Sequence, residues 1–221
     1  MRKAAGKSCH RGVPEPELVL ASASPRRRAL LAELAVPFRV QAPAVDESQR
    51  PAELPAQMVA RLAEAKARAA AARGAWMLAA DTTVVLDGAA LGKPADPRAA
   101  VCMLEHLRDR THVVLTGVCV LPPQGPPGLA VVQTQVRMRH YSRSEIDAYV
   151  ASGAPLDKAG AYGIQDRALH PVEAILGCYP NVVGLPLCAV AQLLRAAGFD
   201  ALPSGPVPCP HAVTWTAPPG G

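Results

Sequence analysis

A short apolar segment, Leu18-Val19-Leu20, runs without a spacer into Ala21-Ser22-Ala23-Ser24-Pro25-Arg26-Arg27-Arg28. This order of residues dictates a strand that turns directly into a helix. Pro25 fits the first helical position, where its missing N–H leaves nothing unsatisfied. Ser24 before it is a natural N-cap, and Leu30, Leu31 and Leu34 supply one apolar face. The turn gathers the hydroxyls of Ser22 and Ser24, two or three guanidiniums and a helix N-terminus. Free backbone N–H groups and the helix dipole favour an anion there, and the arginine fork matches phosphate oxygens. The plainer alternative is a capped helix with a solvated basic first turn. That arrangement opposes the dipole, at a cost of about 0.3–1 kcal/mol per charge, with nothing gained unless an anion is near.

The rest of the sequence alternates strand and helix signals. Phe38-Arg39-Val40 reads as a second strand. Pro55 to Arg73 reads as a helix with Met58, Val59, Leu62, Ala65 and Ala69 on one face and Gly74 as its stop. Trp76 to Leu86 is a third strand, ended by Asp87-Gly88, and Pro97 to Leu107 a further helix. Thr111–Leu121 and Leu129–Arg139 are long β-rich runs joined by a Pro/Gly-rich loop, which predicts an antiparallel pair. Ser142 and Glu145 have capping-box spacing and open a helix through Val150. Pro186 to Ala197 closes the pattern, with Gly198 as its stop. There is no internal repeat. The expected class is α/β: a mixed, elongated sheet with flanking helices.

The chain has 221 residues, 50% of them hydrophobic, enough for one substantial core. Residues 1–16 read as a flexible basic leader, 17–200 as the folded domain and 201–221 as a Pro/Gly-rich tail, disordered or weakly docked. The net charge is +5, but Arg2, Lys3, Lys7 and Arg11 against Glu15 carry three of those charges. A mildly basic domain with 4% aromatic residues offers no stacking surface for nucleic acid. No apolar run is long enough for a membrane helix and the first residues hold no apolar signal-peptide centre, so a cytoplasmic protein is expected. The six cysteines lack CxxC or zinc-site spacing and read as reduced thiols.

Asp81 stands inside the apolar strand Leu78-Ala79-Ala80-Asp81-Thr82-Thr83-Val84-Val85. Burying a carboxylate there is expensive without a partner. It is a satisfied core aspartate, a metal ligand or a general base at a strand end, and the residues alone leave these open. Lys93 in Leu91-Gly92-Lys93-Pro94 lacks the Walker A frame and reads equally as a surface turn lysine. Lys66 fits an ordinary helix lysine, and Asp46-Glu47 an exposed acidic pair. The run Asp157-Lys158-Ala159-Gly160-Ala161-Tyr162-Gly163-Ile164-Gln165 is either a ligand-covering loop or a turn before a strand.

Taken together and in order, these stretches resemble the Maf-type nucleoside triphosphate pyrophosphatases. The matching segments are Ser22–Arg27, Glu47, Ala65-Lys66-Ala67, Ala80-Asp81-Thr82, Leu91–Pro94, His112–Val118, Asp157–Gln165 and Asn181–Leu187, within Leu18 to about Gly198. The resemblance implies two lobes around a cleft, an architecture related to inosine triphosphate pyrophosphatases, and cleavage between the α- and β-phosphates. It implies a divalent cation, Mg²⁺ or Mn²⁺, at Glu47 and Asp81, with Asp81 as proton acceptor and Lys93 and Glu47 in the catalytic set. Ser22, Ser24, Arg26, Arg27, Lys66, Thr82 and Gln165 would bind substrate, and a homodimer is expected. The subgroup acting on dTTP and UTP resembles this chain in Arg26, Thr82 and Gln165; the one acting on 7-methyl-GTP carries Trp at the position of Arg26. Ala154 departs from the family's Glu, and Asp166–His170 depart after the Gln.

Two other function classes compete. One is a non-catalytic nucleotide-binding regulator of cell division on the same fold, against which the intact Glu47, Lys66, Asp81 and Lys93 argue. The other is a nucleic-acid module using the arginine triplet, against which the sparse aromatics and near-neutral domain argue.

Overall fold

In the computed structural model, which describes residues 16–72, 74–205, 207 and 213–216, the chain runs β1 (Leu18–Leu20), α1 (Pro25–Ala32), β2 (Phe38–Val40), α2 (Pro55–Ala69), β3 (Trp76–Leu86) and β4 (Ala89–Leu91). It continues through α3 (Pro97–Leu107), β5 (Thr111–Leu121), β6 (Gly128–Met138) and α4 (Arg143–Ala151) to 3-10 turns at Ala154–Asp157 and Ala159–Ala161. Then come β7 (Val172–Gly177), α5 (Tyr179–Val183), α6 (Leu187–Ala196) and β8 (Val213–Thr216). The strands form one mixed sheet in the order β2-β1-β3-β5-β6-β7-β8, with β4 also on β3. β1 is parallel to both its neighbours and the remaining pairs are antiparallel. The expected α/β class with flanking helices is the one observed.

Pairing along β3 creates the cleft. One edge is covered by β5 from Met77 to Val85. The opposite edge carries β1 at Trp76–Leu78 and β4 at Val84–Leu86. Among the described residues, no strand pairs with Ala79–Thr83 on that side. The turn that leaves β1 and the turn that leaves β4 therefore face each other across the open edge.

Alternation places successive β3 side chains on opposite faces. Trp76, Leu78 and Ala80 join Val118 and Val120 of β5, α1 and α6 in one core, extended by Phe199, whose ring meets Trp76 edge-on. Further along the same face, Val84 and Leu86 join Val114, Val136, Met138, α3 and α4 in a second core. Between the two cores lies the polar pair Thr82 and Thr116, directly opposite in register. The other face packs on α2: Met77, Ala79 and Cys119 meet Ala63, Ala67 and Ala70, while Leu115 meets Met58, Val59 and Leu62.

The first helix forms as its residues dictate. Ser24 Oγ accepts from Arg27 N at 3.4 Å, and Leu30, Leu31 and Leu34 are buried. The capping box of α4 is present, with Glu145 N donating to Ser142 Oγ and Ser142 N to Glu145 Oε2. The helix expected over Pro55–Arg73 ends at Ala69. Ala70 is buried against β3, and the chain must turn there, Ala75 N donating to Ala72 O, before β3 begins. Pro186 caps α6 rather than entering it. β4 and α5 were not anticipated, and β7 only as the strand in one of two readings of Asp157–Gln165; the first is a short Ala-rich hairpin arm, the second one turn opened by Pro180, and the third follows a polar loop. Part of the tail, Val213–Thr216, pairs with β7 as an edge strand. The basic leader, Pro16 apart, and Cys9 and Cys209 lie outside the described residues.

Gly117 sets how closely α2 approaches. A Cβ there would lie 2.3 Å from the Val59 carbonyl oxygen. Gly117→Ala should push α2 off the sheet and destabilise the fold by about 1–3 kcal/mol, as overpacking does. Urea unfolding followed by circular dichroism measures this, and an unchanged midpoint would mean that α2 is not held by the close approach.

Candidate active site

The open edge of β3 looks into a cavity of about 710 Å³, the size of a small-ligand site. Its lining includes Ser22, Ser24, Arg26 and Arg27 from the β1–α1 turn, and Glu47 from the loop after β2. Lys66 of α2, Asp81 and Thr82 of β3, Lys93 after β4, and Gln165 complete it. Every candidate residue named from the sequence is thus brought to one place. Arg28, the third guanidinium of the triplet, is exposed and outside the lining.

Asp81 and Thr82 occupy opposite faces of β3 and meet different partners. Asp81 turns toward α2. There Lys66 Nζ lies 2.6 Å from Asp81 Oδ1 and 2.7 Å from Glu47 Oε1. Lys66 and Asp81 are 8% and 7% exposed, so neither is a solvated surface charge. Lys66 reaches this point because α2 carries Val59 against Gly117 two turns earlier, on the same helix face. Burial works to raise the Glu47 carboxyl, but the hydrogen bond and charge of Lys66, aided by Lys93 and Arg27, outweigh it and hold the group below its ordinary value.

Thr82 turns toward α1. Arg27 donates from Nη2 to Thr82 Oγ1 at 3.0 Å, from Nε to the Gly184 carbonyl at 2.8 Å and from Nη1 to Ser22 Oγ at 3.4 Å. Burial lowers the Arg27 guanidinium from its usual value while the Asp81 and Glu47 charges oppose the shift; arginine stays charged regardless. Gly184 has φ +122°, a region that L side chains rarely adopt, and a Cβ there would stand 3.4 Å from Thr82 Oγ1 and 3.5 Å from Arg27 Nε. A larger residue would strain the backbone and crowd the bond that aims Arg27.

The far wall comes from the segment after α4. Arg26 Nη1 pairs with Asp157 Oδ2 at 3.1 Å, linking the β1–α1 turn to this segment. Burial raises the Asp157 carboxyl, but Lys158 and Arg26 outweigh it and hold it low. Gly160 N donates to Gly92 O at 3.0 Å, which ties the same segment to the Gly92-Lys93 turn. Lys93 is exposed and has no hydrogen-bond partner among the described residues. The exposed Gln165 hydrogen-bonds the half-buried Tyr179, whose hydroxyl burial otherwise pushes up. Residues of Asp157–Gln165 line the cavity, and the chain beyond them leads into β7 at Val172.

Sequence reasoning passed over several residues here. Thr116 Oγ1 lies 2.9 Å from Thr82 Oγ1 and donates to the Asn181 carbonyl at 3.1 Å. Asn181 is fully buried, its amide donating to Val114 O and Thr134 Oγ1. His112 Nε2 meets the buried hydroxyl of Tyr162 at 2.7 Å, fastening the covering segment to β5. All lie inside segments that carry the family resemblance, His112–Val118, Asp157–Gln165 and Asn181–Leu187, but nothing local to them gives any one a role.

Burial depresses His112 to about 4. Unfolded, it takes a proton below its ordinary value of 6.5, while the folded protein keeps it neutral down to about pH 4. The unfolded state therefore binds more protons across that interval, and stability rises with pH through it. The contribution is complete above pH 6.5 and is lost progressively as pH falls. Urea midpoints from pH 7 to 4 should fall more steeply for wild type than for His112→Gln; parallel slopes would locate the acid sensitivity elsewhere.

The family profile described as "Maf-like protein" matches residues 17–197. A dTTP/UTP pyrophosphatase of Moorella thermoacetica is 54% identical over 187 residues, covering 83% of this chain and 96% of that protein. Its counterpart in Symbiobacterium thermophilum is 49% identical over 192 residues, covering 86% and 98%. One from Anaeromyxobacter dehalogenans is 49% identical over 187 residues, covering 83% and 95%.

Proposed function

The chain belongs to the Maf-like protein family, and from that premise we propose that it is a nucleotide pyrophosphatase. It hydrolyses dTTP and UTP to the nucleoside monophosphate and pyrophosphate. The observation that carries the reading is the buried Lys66 ammonium bracketed by Asp81 and Glu47, in a cavity whose adjoining wall is the hydroxyl- and arginine-rich β1–α1 turn. The names of the relatives at 43–54% identity support the substrate class.

The donor set also suits a divalent cation. Glu47 and Asp81 each bring an oxygen to within 2.7 Å of one positive group. Hard carboxylate oxygens are the ligands Mg²⁺ and Mn²⁺ prefer, and Mg²⁺ commonly binds through one or two carboxylates together with substrate phosphates. No cluster of three His, Cys, Asp or Glu occurs among the described residues, so the remaining ligands would come from the triphosphate and water. Such a cation supplies charge neutralisation for the polyanion.

The protein's own groups account for the other tasks. Ser22, Ser24, Arg27 and Lys93 hold the phosphates, with Arg27 preset by Thr82 and Gly184. Asp81 accepts the proton of a water that attacks the α-phosphorus. The bond from the α-phosphorus to the bridging oxygen breaks, and pyrophosphate departs carrying that oxygen. Lys66 bridges the two carboxylates and holds them close together. Arg26 and Gln165 face the base.

Purified protein should release pyrophosphate from dTTP and UTP with Mg²⁺ or Mn²⁺ and leave the monophosphate. A diphosphate product with orthophosphate would contradict α–β cleavage, and nucleotide binding without turnover would favour the regulator class. Asp81→Asn should lower kcat by about 10²–10⁴-fold, the range for losing a general base, while retaining the wild-type circular dichroism spectrum. Near-normal turnover in that variant would make Asp81 a structural partner of Lys66.

Base choice follows from polar matching. Thymine and uracil present O4 as an acceptor where cytosine presents an amino donor, so an Arg or amide donor aimed there is left unpaired by cytosine. dTTP and UTP should be preferred over dCTP and CTP in kcat/KM, and Gln165→Ala should narrow the gap. Equal losses on all four nucleotides would show that Gln165 supports the covering segment instead of reading the base.

A further inference from the structure

We propose that Thr116, which lies behind the cavity wall and outside its lining, is a positioning residue that fixes the aim of Arg27 through the hydroxyl of Thr82; the proposal rests on the pyrophosphatase reading above. A threonine hydroxyl has one proton to give and two lone pairs. The Asn181 carbonyl can only accept, so the Thr116 proton is committed to it across 3.1 Å. Thr116 Oγ1 must then accept from Thr82, 2.9 Å away. That commits the Thr82 proton in turn. Arg27 can only donate, and its Nη2 gives a proton to the remaining lone pair of Thr82 at 3.0 Å. The chain of donors therefore runs one way, from Arg27 to Thr82 to Thr116 to the backbone of α5.

The far end of this chain is itself anchored. The Asn181 amide donates to Val114 O at 3.2 Å and to Thr134 Oγ1 at 2.9 Å. Thr134 also accepts from Cys178 N at 3.1 Å and donates to Cys178 O at 3.2 Å, which exhausts its hydroxyl. Thr116 and Thr134 are fully buried, so water does not compete for these bonds. With its proton order fixed, Thr82 offers Arg27 an acceptor at all times. The Gly184 carbonyl offers the second, at Nε. The guanidinium is held from two sides before any substrate arrives, and its spare N–H groups are preset for phosphate.

Valine has the shape of threonine without the hydroxyl. In Thr116→Val, Thr82 loses its acceptor and its proton can swing toward Arg27, replacing an attraction with a clash of donors. The test is steady-state hydrolysis of dTTP with Mg²⁺, alongside calorimetric titration with inorganic pyrophosphate. It uses wild type, Thr116→Val, Thr116→Ser, Arg27→Gln and the Arg27→Gln/Thr116→Val double variant. Thr116→Val should lose about tenfold in kcat/KM, the scale of one well-made hydrogen bond, with most of the change in KM. Thr116→Ser should stay within about twofold of wild type because it restores the same donor and acceptor. In the Arg27→Gln background the valine change should cost almost nothing more, since residues acting through one another are not additive.

The proposal is overturned if Thr116→Val matches wild type, if serine is as impaired as valine, or if the two changes add fully. A wild-type protein that binds pyrophosphate yet never turns over dTTP would defeat the functional reading alone. The positioning claim would then be decided by whether valine, and not serine, weakens pyrophosphate binding. A wild type that does neither defeats both.

Discussion

The active site depends on an interruption in strand pairing. β3 is paired along one edge almost throughout, yet on the other edge it is covered only at its two ends. A continuous neighbour there would seal the sheet and leave Asp81 an expensive mistake in an apolar strand. With β1 stopping at Leu20 and β4 stopping at Leu91, the middle of β3 becomes a floor on which two turns converge. One turn carries the serines and arginines, and the other carries Lys93. Ligand sites of α/β sheets commonly lie beyond strand ends where the chain changes course; here the vacancy lies between two strands that share one edge.

Charge is balanced within that vacancy by geometry. Lys66 is drawn in by two carboxylates, and Arg27 by two neutral acceptors and a hydroxyl. Buried ion pairs contribute little net stability because desolvation offsets attraction, whereas an unpartnered buried charge is strongly destabilising. The Lys66 cluster is therefore best understood as a way to partner the buried Asp81 at low net cost while holding it beside Glu47. In the proposed reaction the two sides divide the labour: the β1–α1 side takes the phosphates, and the segment after α4, tied to that turn by the Arg26–Asp157 pair, meets the base.

Much of this was legible in the amino-acid order, and the reasons differ by residue. The Ser22–Arg27 turn is a local device, so a strand, a cap, a proline and arginines in succession declare it. Asp81 stands out because a carboxylate contradicts its apolar surroundings. Lys66 fitted a solvated helix position equally well, because what buries it is a glycine 51 positions later that lets α2 lie close. Thr116, Asn181 and the His112–Tyr162 pair were not legible. Their partners are 34 to 67 residues away and are selected by strand register, which composition does not reveal. β4, β7 and α5 are short, and they owe their existence to neighbours more than to propensity.

Three strands of eleven residues, β3, β5 and β6, run unbroken beneath both cores. At roughly 3.4 Å per residue each spans about 37 Å. No hinge can operate through such a ladder without breaking its bonds. In the proposed reaction, the spacing between the β1–α1 turn that takes the phosphates and the wall that meets the base is in that sense a ruler etched into the sheet. On that reading substrate length is measured against a rigid gauge, and any adaptation to a bulkier base is left to the Ala154–Gln165 arm, whose anchoring bonds to Gly92, Arg26 and His112 are few enough to be rewritten.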